Sequence, residues 1–268
     1  MLSQVNISII ISCYNTKPEY LQEAVNSVYD YKGKYNYEII ICDDGSINAD
    51  TLELLKTFAQ TGIRVLYQEN KGPAAARNKG VHHCNSEFIL FLDSDNKIKP
   101  AYIDEGIAAL LANTKAAVAY GDAAFFGNSR EGEFFSGEFN IAKLLVSNYI
   151  DMCSVVRRQA WEDVGGLDEN RIIIGHEDWE FWISLYKAGW QFMHLSKVLF
   201  DYRLRDNSLI TQSLNEKKKE KIQYVFSKHW DLVYENFRKL HTNDIICKED
   251  KKNPLRSFIK YSKAKYFK

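Results

Sequence analysis

Two carboxylates stand directly after an apolar run in Phe88-Ile89-Leu90-Phe91-Leu92-Asp93-Ser94-Asp95. Side chains two apart on a strand share a face, so Asp93 and Asp95 are expected to project together from its end. Carboxylates paired in this way suit a hard divalent cation, Mn²⁺ or Mg²⁺, that keeps positions open for water and diphosphate oxygens. A solvated turn is the competing explanation, because Asp, Ser and Asn all favour turns. A second cluster, Asp43-Asp44-Gly45-Ser46, also follows an apolar run and also suits a plain turn. The third pair, Glu177-Asp178, opens a tryptophan-rich stretch. The helix macrodipole favours acids in a first turn and favours their ionised form. An ionised, partly enclosed carboxylate is equally what takes a proton from an acceptor hydroxyl.

Alternating strands and helices must position these acids. Val5–Cys13, Tyr37–Cys42, Ile63–Gln68 and Phe88–Leu92 read as strands, with helices predicted over Pro18–Tyr31, Asp50–Thr61 and Pro73–His82. This order implies an α/β, Rossmann-like fold with a mostly parallel sheet flanked by helices. Ligands of such sheets bind at the carboxyl ends of the strands, where Tyr14-Asn15, Asp43-Asp44 and Asp93-Ser94-Asp95 fall. Further on, Asp122–Val146 reads as loops and a helix lining a cleft, Met152–Val156 as a strand and Arg158–Val164 as a short helix. Glu177–Ala188 has helical spacing, with Trp179, Trp182, Ile183 and Tyr186 on one face, and Phe192–Tyr202 reads as strand and turn. From Glu216 the chain turns into a charged, helical tail.

The 268 residues, 46% hydrophobic, are enough to bury a core in one large domain, or in one domain and an appendage. Thirty-five basic residues balance thirty-five acidic ones, which argues against a dedicated nucleic-acid binder. Five widely spaced cysteines without CxxC spacing, three of them (Cys13, Cys42, Cys153) in or beside apolar runs, read as reduced thiols. The first residues lack the basic region and cleavage site of a secretory signal, and no stretch approaches membrane-span length. A cytoplasmic protein is expected.

Taken in order, Tyr14-Asn15, Asp43-Asp44-Gly45-Ser46, Asn70-Lys71-Gly72, Ala76-Arg77-Asn78-Lys79-Gly80, Asp93-Ser94-Asp95, Gly165-Gly166-Leu167-Asp168-Glu169 and Glu177-Asp178 form a series. In this series the chain resembles the family 2 glycosyltransferases of GT-A fold that assemble bacterial polysaccharides, over about its first three-quarters. The resemblance implies an inverting, metal-dependent hexosyl transfer from a nucleoside-diphosphate sugar to an acceptor hydroxyl in cell-surface polysaccharide or glycolipid synthesis. It implies that Cys13, Tyr14 and Asn15 line the base pocket and that Asp44 accepts the imide N–H of the base. Uracil and thymine share that imide, with a UDP-sugar favoured. Lys71, Arg77, Asp93 and Ser94 are implied in donor contacts, Asp95 with Asp93 in metal binding, Gly165-Gly166 in a flexible approach to the acceptor, and Asp178, aided by Glu177, in catalysis.

Two departures matter. The first strand ends Ile11-Ser12-Cys13 where the family more often has Pro-Thr, a conservative change if backbone groups do the work. Many relatives also carry histidine at the place of Arg205. Arginine cannot bind a cation but pairs bidentately with phosphate, so Arg205 is expected on the leaving diphosphate. His194 is the weaker substitute ligand, since its strand can simply pack it. The competing functions are a nucleotidyltransferase, a glycoside hydrolase and a catalytically dead sugar-binding subunit.

Residues 1–215 are expected to form the catalytic domain, with a nucleotide half to about residue 100 and an acceptor half beyond it. Residues 216–268 form the helical, basic tail. Between Lys248 and Lys268 eight lysines and arginines stand against Glu249 and Asp250, interleaved with Leu255, Phe258, Ile259, Tyr261, Tyr266 and Phe267. Such a segment can meet anionic headgroups, so peripheral contact with the inner face of the cell membrane is expected, with a solvated or homo-oligomer-forming tail as the alternative.

Overall fold

A computed structural model describes residues 6–127, 132–205 and 218–252. The elements in chain order are β1 (Ile7–Cys13), α1 (Pro18–Tyr29), β2 (Tyr37–Asp43), α2 (Ala49–Gln60), β3 (Arg64–Tyr67), α3 (Pro73–His82), β4 (Phe88–Asp93), β5 (Lys97–Ile98) and α4 (Ala101–Ala112). They continue with β6 (Ala116–Phe126), β7 (Glu133–Phe134), α5 (Ile141–Val146), β8 (Val155–Arg157), α6 (Arg158–Asp163), a 3₁₀ turn Arg171–Ile173, α7 (Glu177–Lys187) and β9 (Gln191–Arg203). Two helices, α8 (Lys218–Lys228) and α9 (Trp230–Lys252), follow.

The continuous apolar runs have no polar face to offer water, so they stack side by side with helices over both faces. β1 lies between β2 and β4, parallel to each, and β3 pairs in parallel with β2. Ile7, Ile9, Ile10 and Ile11 are fully buried, each contributing about 1.5–3 kcal/mol. Registers matter for function: Ser12 lies opposite Asp93 and Cys13 opposite Asp43, which gathers three strand ends along one edge. Pro18 opens α1, where a missing N–H costs nothing, and Asn48 caps α2 by accepting the Thr51 N–H. Among the described residues nine strands form one sheet, ordered β3-β2-β1-β4-β8-β6-β9-β5 with β7 on β6. β8 enters antiparallel to β4 and β6, and β6 runs parallel to β9.

Beyond α4 the structure departs from the pattern predicted for it. The stretch expected as loops and a helix begins inside β6, an eleven-residue strand. Gly121 and Asp122 disguise it. A Cβ on Gly121 would stand 2.8 Å from the Leu199 side chain, so close strand packing demands glycine there. Asp122 is buried against His194 (Nε2 to Oδ1, 2.9 Å) and accepts the Ser136 N–H. The same contact makes His194 a packed partner of Asp122. β8 is shorter and later than the predicted Met152–Val156, and the predicted strand and turn near Phe192 is one thirteen-residue strand. Cys13, Cys42, Cys84 and Cys153 are free and buried.

The chain divides into two compact units, Met1–Val225 and Phe226–Lys268, so most of α8 belongs with the first. Its Lys221 donates to the Ile174 carbonyl (2.8 Å) and its Tyr224 hydroxyl to Asp168 (2.9 Å). In the second unit α9 carries Trp230, Tyr234, Phe237 and Leu240 exposed. No helix of the described residues is long and apolar enough to cross a membrane. The basic, aromatic segment from Asn253 to Lys268 lies outside the described residues.

Candidate active site

The carboxyl edge of β1 and β2 is a set of loops fastened by buried acids. Asn15 adopts a positive φ of 48°, and its Oδ1 accepts the backbone N–H groups of Ile47 (2.8 Å) and Asn48 (2.9 Å). Asp43 accepts the Ser46 N–H. Gly45 makes this turn, since a Cβ there would meet the Asn70 nitrogen at 2.8 Å. Asp44, almost fully buried, accepts Gln68 Nε2 (2.7 Å) and the Lys71 N–H (2.8 Å) on Oδ1, and the Gly72 N–H (2.8 Å) on Oδ2. A carboxylate has about four acceptor positions, so one on Oδ2 is left for a ligand N–H. Cys13 is buried, while Tyr14 and the Lys71 side chain are exposed above this edge. Asp44 and Asn15 therefore serve the protein's own loops before any ligand.

β4 ends at Asp93, and Asp95 lies in the turn beyond, closed by the Asn96 N–H on the Asp93 carbonyl (3.0 Å). Strand alternation therefore does not carry Asp95 to the face of Asp93; the turn does. Ser94 bridges to Thr16 by their hydroxyls (2.7 Å), joining the ends of β4 and β1. Asp95 is 12% exposed, and burial and the charge of Asp93 push its pKa up to about 6 against the pull of Arg205 and Arg203. Arg205, itself partly exposed, lies on it, Nη2 to Oδ2 at 2.6 Å.

The Arg77 guanidinium is buried, and both of its arms are held by the protein's own carboxylates. Nη2 reaches Asp93 at 2.7 Å and Nη1 reaches Glu177 at 2.9 Å. The two carboxylates hold the guanidinium charged despite its burial. The next residue, Asn78, fills all of its amide positions: Nδ2 donates to the Leu167 carbonyl and to Glu169, and Oδ1 accepts Trp161 Nε1 and the Leu167 N–H. Consecutive residues of α3 thus link Asp93 and Glu177 on one side to Leu167 and Glu169, just past Gly165-Gly166, on the other.

At the start of α7, Glu177 is satisfied by Arg77 on Oε1 and by the Gly175 N–H on Oε2 (2.6 Å). Asp178 is half-buried, with Oδ2 accepting Asn148 Nδ2 (2.7 Å) and Oδ1 accepting its neighbour's N–H at Trp179 (2.7 Å). Burial and then the charge of Glu177 push Asp178 up to about 8. The macrodipole was expected to keep it ionised. That dipole is worth about 0.3–1 kcal/mol, less than one tenfold step in proton affinity, and burial overrides it. Asp151 is likewise pushed up, to about 7, by burial and then by Asp93.

Asp93, Asp151, Glu177 and Asp178 thus feel the charge of Arg77, Asp95 stands beside Asp93, and three of these five acids titrate high. Among the described residues no three ligand-type side chains gather into a cage for an ion. The donor set still fits a hard divalent cation that takes one carboxylate, Asp95, and completes its shell with phosphate and water. A narrow crevice separates Lys71–Ala74 from Asp168–Asn170 and Ile174, with Glu177 at its wall.

Three residues of this site were not predicted for it. Asn148 lies in a stretch without a motif, and Asn78 was visible only as part of one. Arg203 holds the Asp95 carbonyl through Nε (2.9 Å) and was hidden in an apparent strand end.

Residues 8–165 match the family model described as glycosyl transferase family 2. The glycosyltransferase GlyA of Streptococcus pneumoniae is 30% identical over 227 residues, covering 78% of this chain and 32% of its own length. This chain therefore spans about a third of that relative. The putative teichuronic acid biosynthesis glycosyltransferase TuaG of Bacillus subtilis is 29% identical over 240 residues, covering 88% of this chain and 89% of its own. Among solved structures, S. aureus TarS 1-349 in complex with UDP-GlcNAc superposes with a TM-score of 0.63 at 20% identity, covering 77% of this chain and 61% of that one. That likeness is one of fold, the GT-A arrangement.

Proposed function

The chain belongs to glycosyl transferase family 2, and from that footing we propose that it transfers a sugar, with inversion, from a UDP-sugar to an acceptor hydroxyl of a cell-surface polysaccharide or glycolipid. The observation that carries this is the Arg77 bridge. One guanidinium ties Asp93, on the donor side, to Glu177, beside the half-buried Asp178. The named teichuronic acid relative and the UDP-GlcNAc complex of TarS support the substrate class.

In this mechanism Tyr14 and the backbone around Cys13 and Asn15 bound the base, and the remaining Oδ2 position of Asp44 accepts its imide N–H. Lys71 and Ser94 lie at the rim for donor contacts. Asp95 would hold the cation, and Asp93 stays on Arg77. A bound Mn²⁺ or Mg²⁺ supplies positive charge to the departing diphosphate. Asp178 accepts the acceptor's hydroxyl proton on the face opposite the leaving group, oriented by Asn148. Glu177, with both oxygens engaged, positions it. Water is held back by the buried walls around Asp151 and Glu177.

Titration of UDP with and without Mn²⁺ tests this directly, with metal-dependent binding as the expected result. Asp95→Asn is expected to abolish the Mn²⁺ dependence and the transfer while leaving the thermal midpoint near wild type, since the substitution preserves shape and removes an enclosed charge whose partner, Arg205, is exposed enough to be hydrated when released. A mutant keeping both wild-type rate and Mn²⁺ dependence would remove Asp95 from the metal.

The proposal extends to the tail: the segment from Asn253 attaches the enzyme to the inner leaflet, where lipid-linked acceptors are found. Full-length protein is expected to float with anionic liposomes and a truncation before Asn253 to stay behind. Equal behaviour of the two would remove the idea.

A further inference from the structure

Two arginines reach Asp95 from the end of β9, and they are held differently. Arg203 has a side chain only 7% exposed. It lies between the rings of Tyr20 (4.0 Å) and Phe126 (4.3 Å), with Nη2 on Glu23 (2.8 Å), Nε on the Asp95 carbonyl and its own N–H on Asn96. Arg205 has a side chain 41% exposed, held at its tip by the ion pair to the Asp95 carboxylate. The first is built in. The second can leave.

We propose that Arg205 is a resident counter-charge on Asp95, which a divalent cation displaces and which then moves to the donor's diphosphate. The inference rests on the metal-dependent transfer proposed above and adds a competition to it: one carboxylate, two cations. Asp95 is enclosed and stands beside Asp93, so it requires a positive partner at all times. Arg205, being exposed, is readily hydrated on release, and its planar fork pairs as well with a diphosphate as with a carboxylate. A cation arriving alone breaks the ion pair without replacing it. A cation arriving with a diphosphate gives the guanidinium a new anion. Cation and nucleotide therefore tighten each other's binding, by the same factor in both directions. Arg203 stays in place throughout and keeps the Asp95 turn from following Arg205 outward.

The test is Mn²⁺ binding to the full chain, read by electron paramagnetic resonance or calorimetry, without nucleotide and with saturating UDP. Wild type is expected to bind Mn²⁺ weakly alone and more tightly with UDP. In Arg205→Ala, Mn²⁺ alone is expected to bind roughly fivefold tighter, the scale of a lost competing ion pair, with less further tightening by UDP. Arg205→Lys, which restores a point charge, is expected to return the nucleotide-free affinity toward wild type. Unchanged or weaker nucleotide-free Mn²⁺ binding in Arg205→Ala, with UDP still tightening Mn²⁺ in wild type, overturns the exchange and leaves metal-dependent transfer standing. No Mn²⁺ binding by wild type in either condition overturns both.

Discussion

Asp178→Asn is expected to slow transfer by about 10²–10⁴-fold, the usual cost of losing a general base, while diphosphate affinity hardly changes. The substitution preserves shape and can keep the contact to Asn148, so the loss isolates the proton-accepting charge. The pH profile supplies a second signature. Because burial and Glu177 raise the Asp178 carboxyl to about 8, its basic form accumulates as pH rises, and kcat/KM should climb through the neutral range to a plateau above that value. In Asp178→Asn that limb should vanish. Glu177→Gln should cost less, acting through orientation. If Asp178→Asn transferred near the wild-type rate, the base would be sought at Asp151 or Glu177; if it lost nucleotide binding too, Asp178 would be structural.

Arg77→Leu is expected to lower both stability and turnover. It leaves the buried Glu177 without its cation and frees Asp93, and breaking a buried ion pair in this way costs about 3–5 kcal/mol. Asp93 is a third exposed, so the lower end applies. At roughly 2–4 °C per kcal/mol for a unit of this size, the midpoint should fall by about 6–12 °C. The surviving folded enzyme should lose kcat more than donor affinity, because the displaced groups are Glu177 and its neighbour Asp178. Arg77→Lys, with one charge and no fork, should fall between. An Arg77→Leu enzyme with an unshifted midpoint would show that the bridge is not what holds the two sides together.

The parallel nucleus was legible because β1, β2 and β4 are buried on both faces, which writes a continuous apolar run into the chain. β6 is just as buried over most of its length, yet Gly121 and Asp122 interrupt its text for reasons of tertiary packing with β9. At the site, residue types were readable and pairings were not. Asp93, Asp95, Glu177 and Asp178 announce an acidic centre, but no spacing says that Arg77, a hundred positions before Glu177, closes on it. The protonation of Asp178 is hidden for a related reason: the helix start is local and visible, while the burial that outweighs it is set by the surrounding fold.

The hydrogen bonds that Asn15, Asp43 and Asp44 make to residues 46–48 and 71–72 have a consequence for what binding must cost. Freezing a free loop costs about 1–2 kcal/mol of backbone entropy per residue. Here both loops are already immobilised by the folded chain, so a donor meets a cradle that has lost its freedom in advance. What remains to be ordered is mainly the exposed side chains of Tyr14 and Lys71, at about 0.5–1.5 kcal/mol each. A cradle of this stiffness gains affinity cheaply and yields little to a base of another shape.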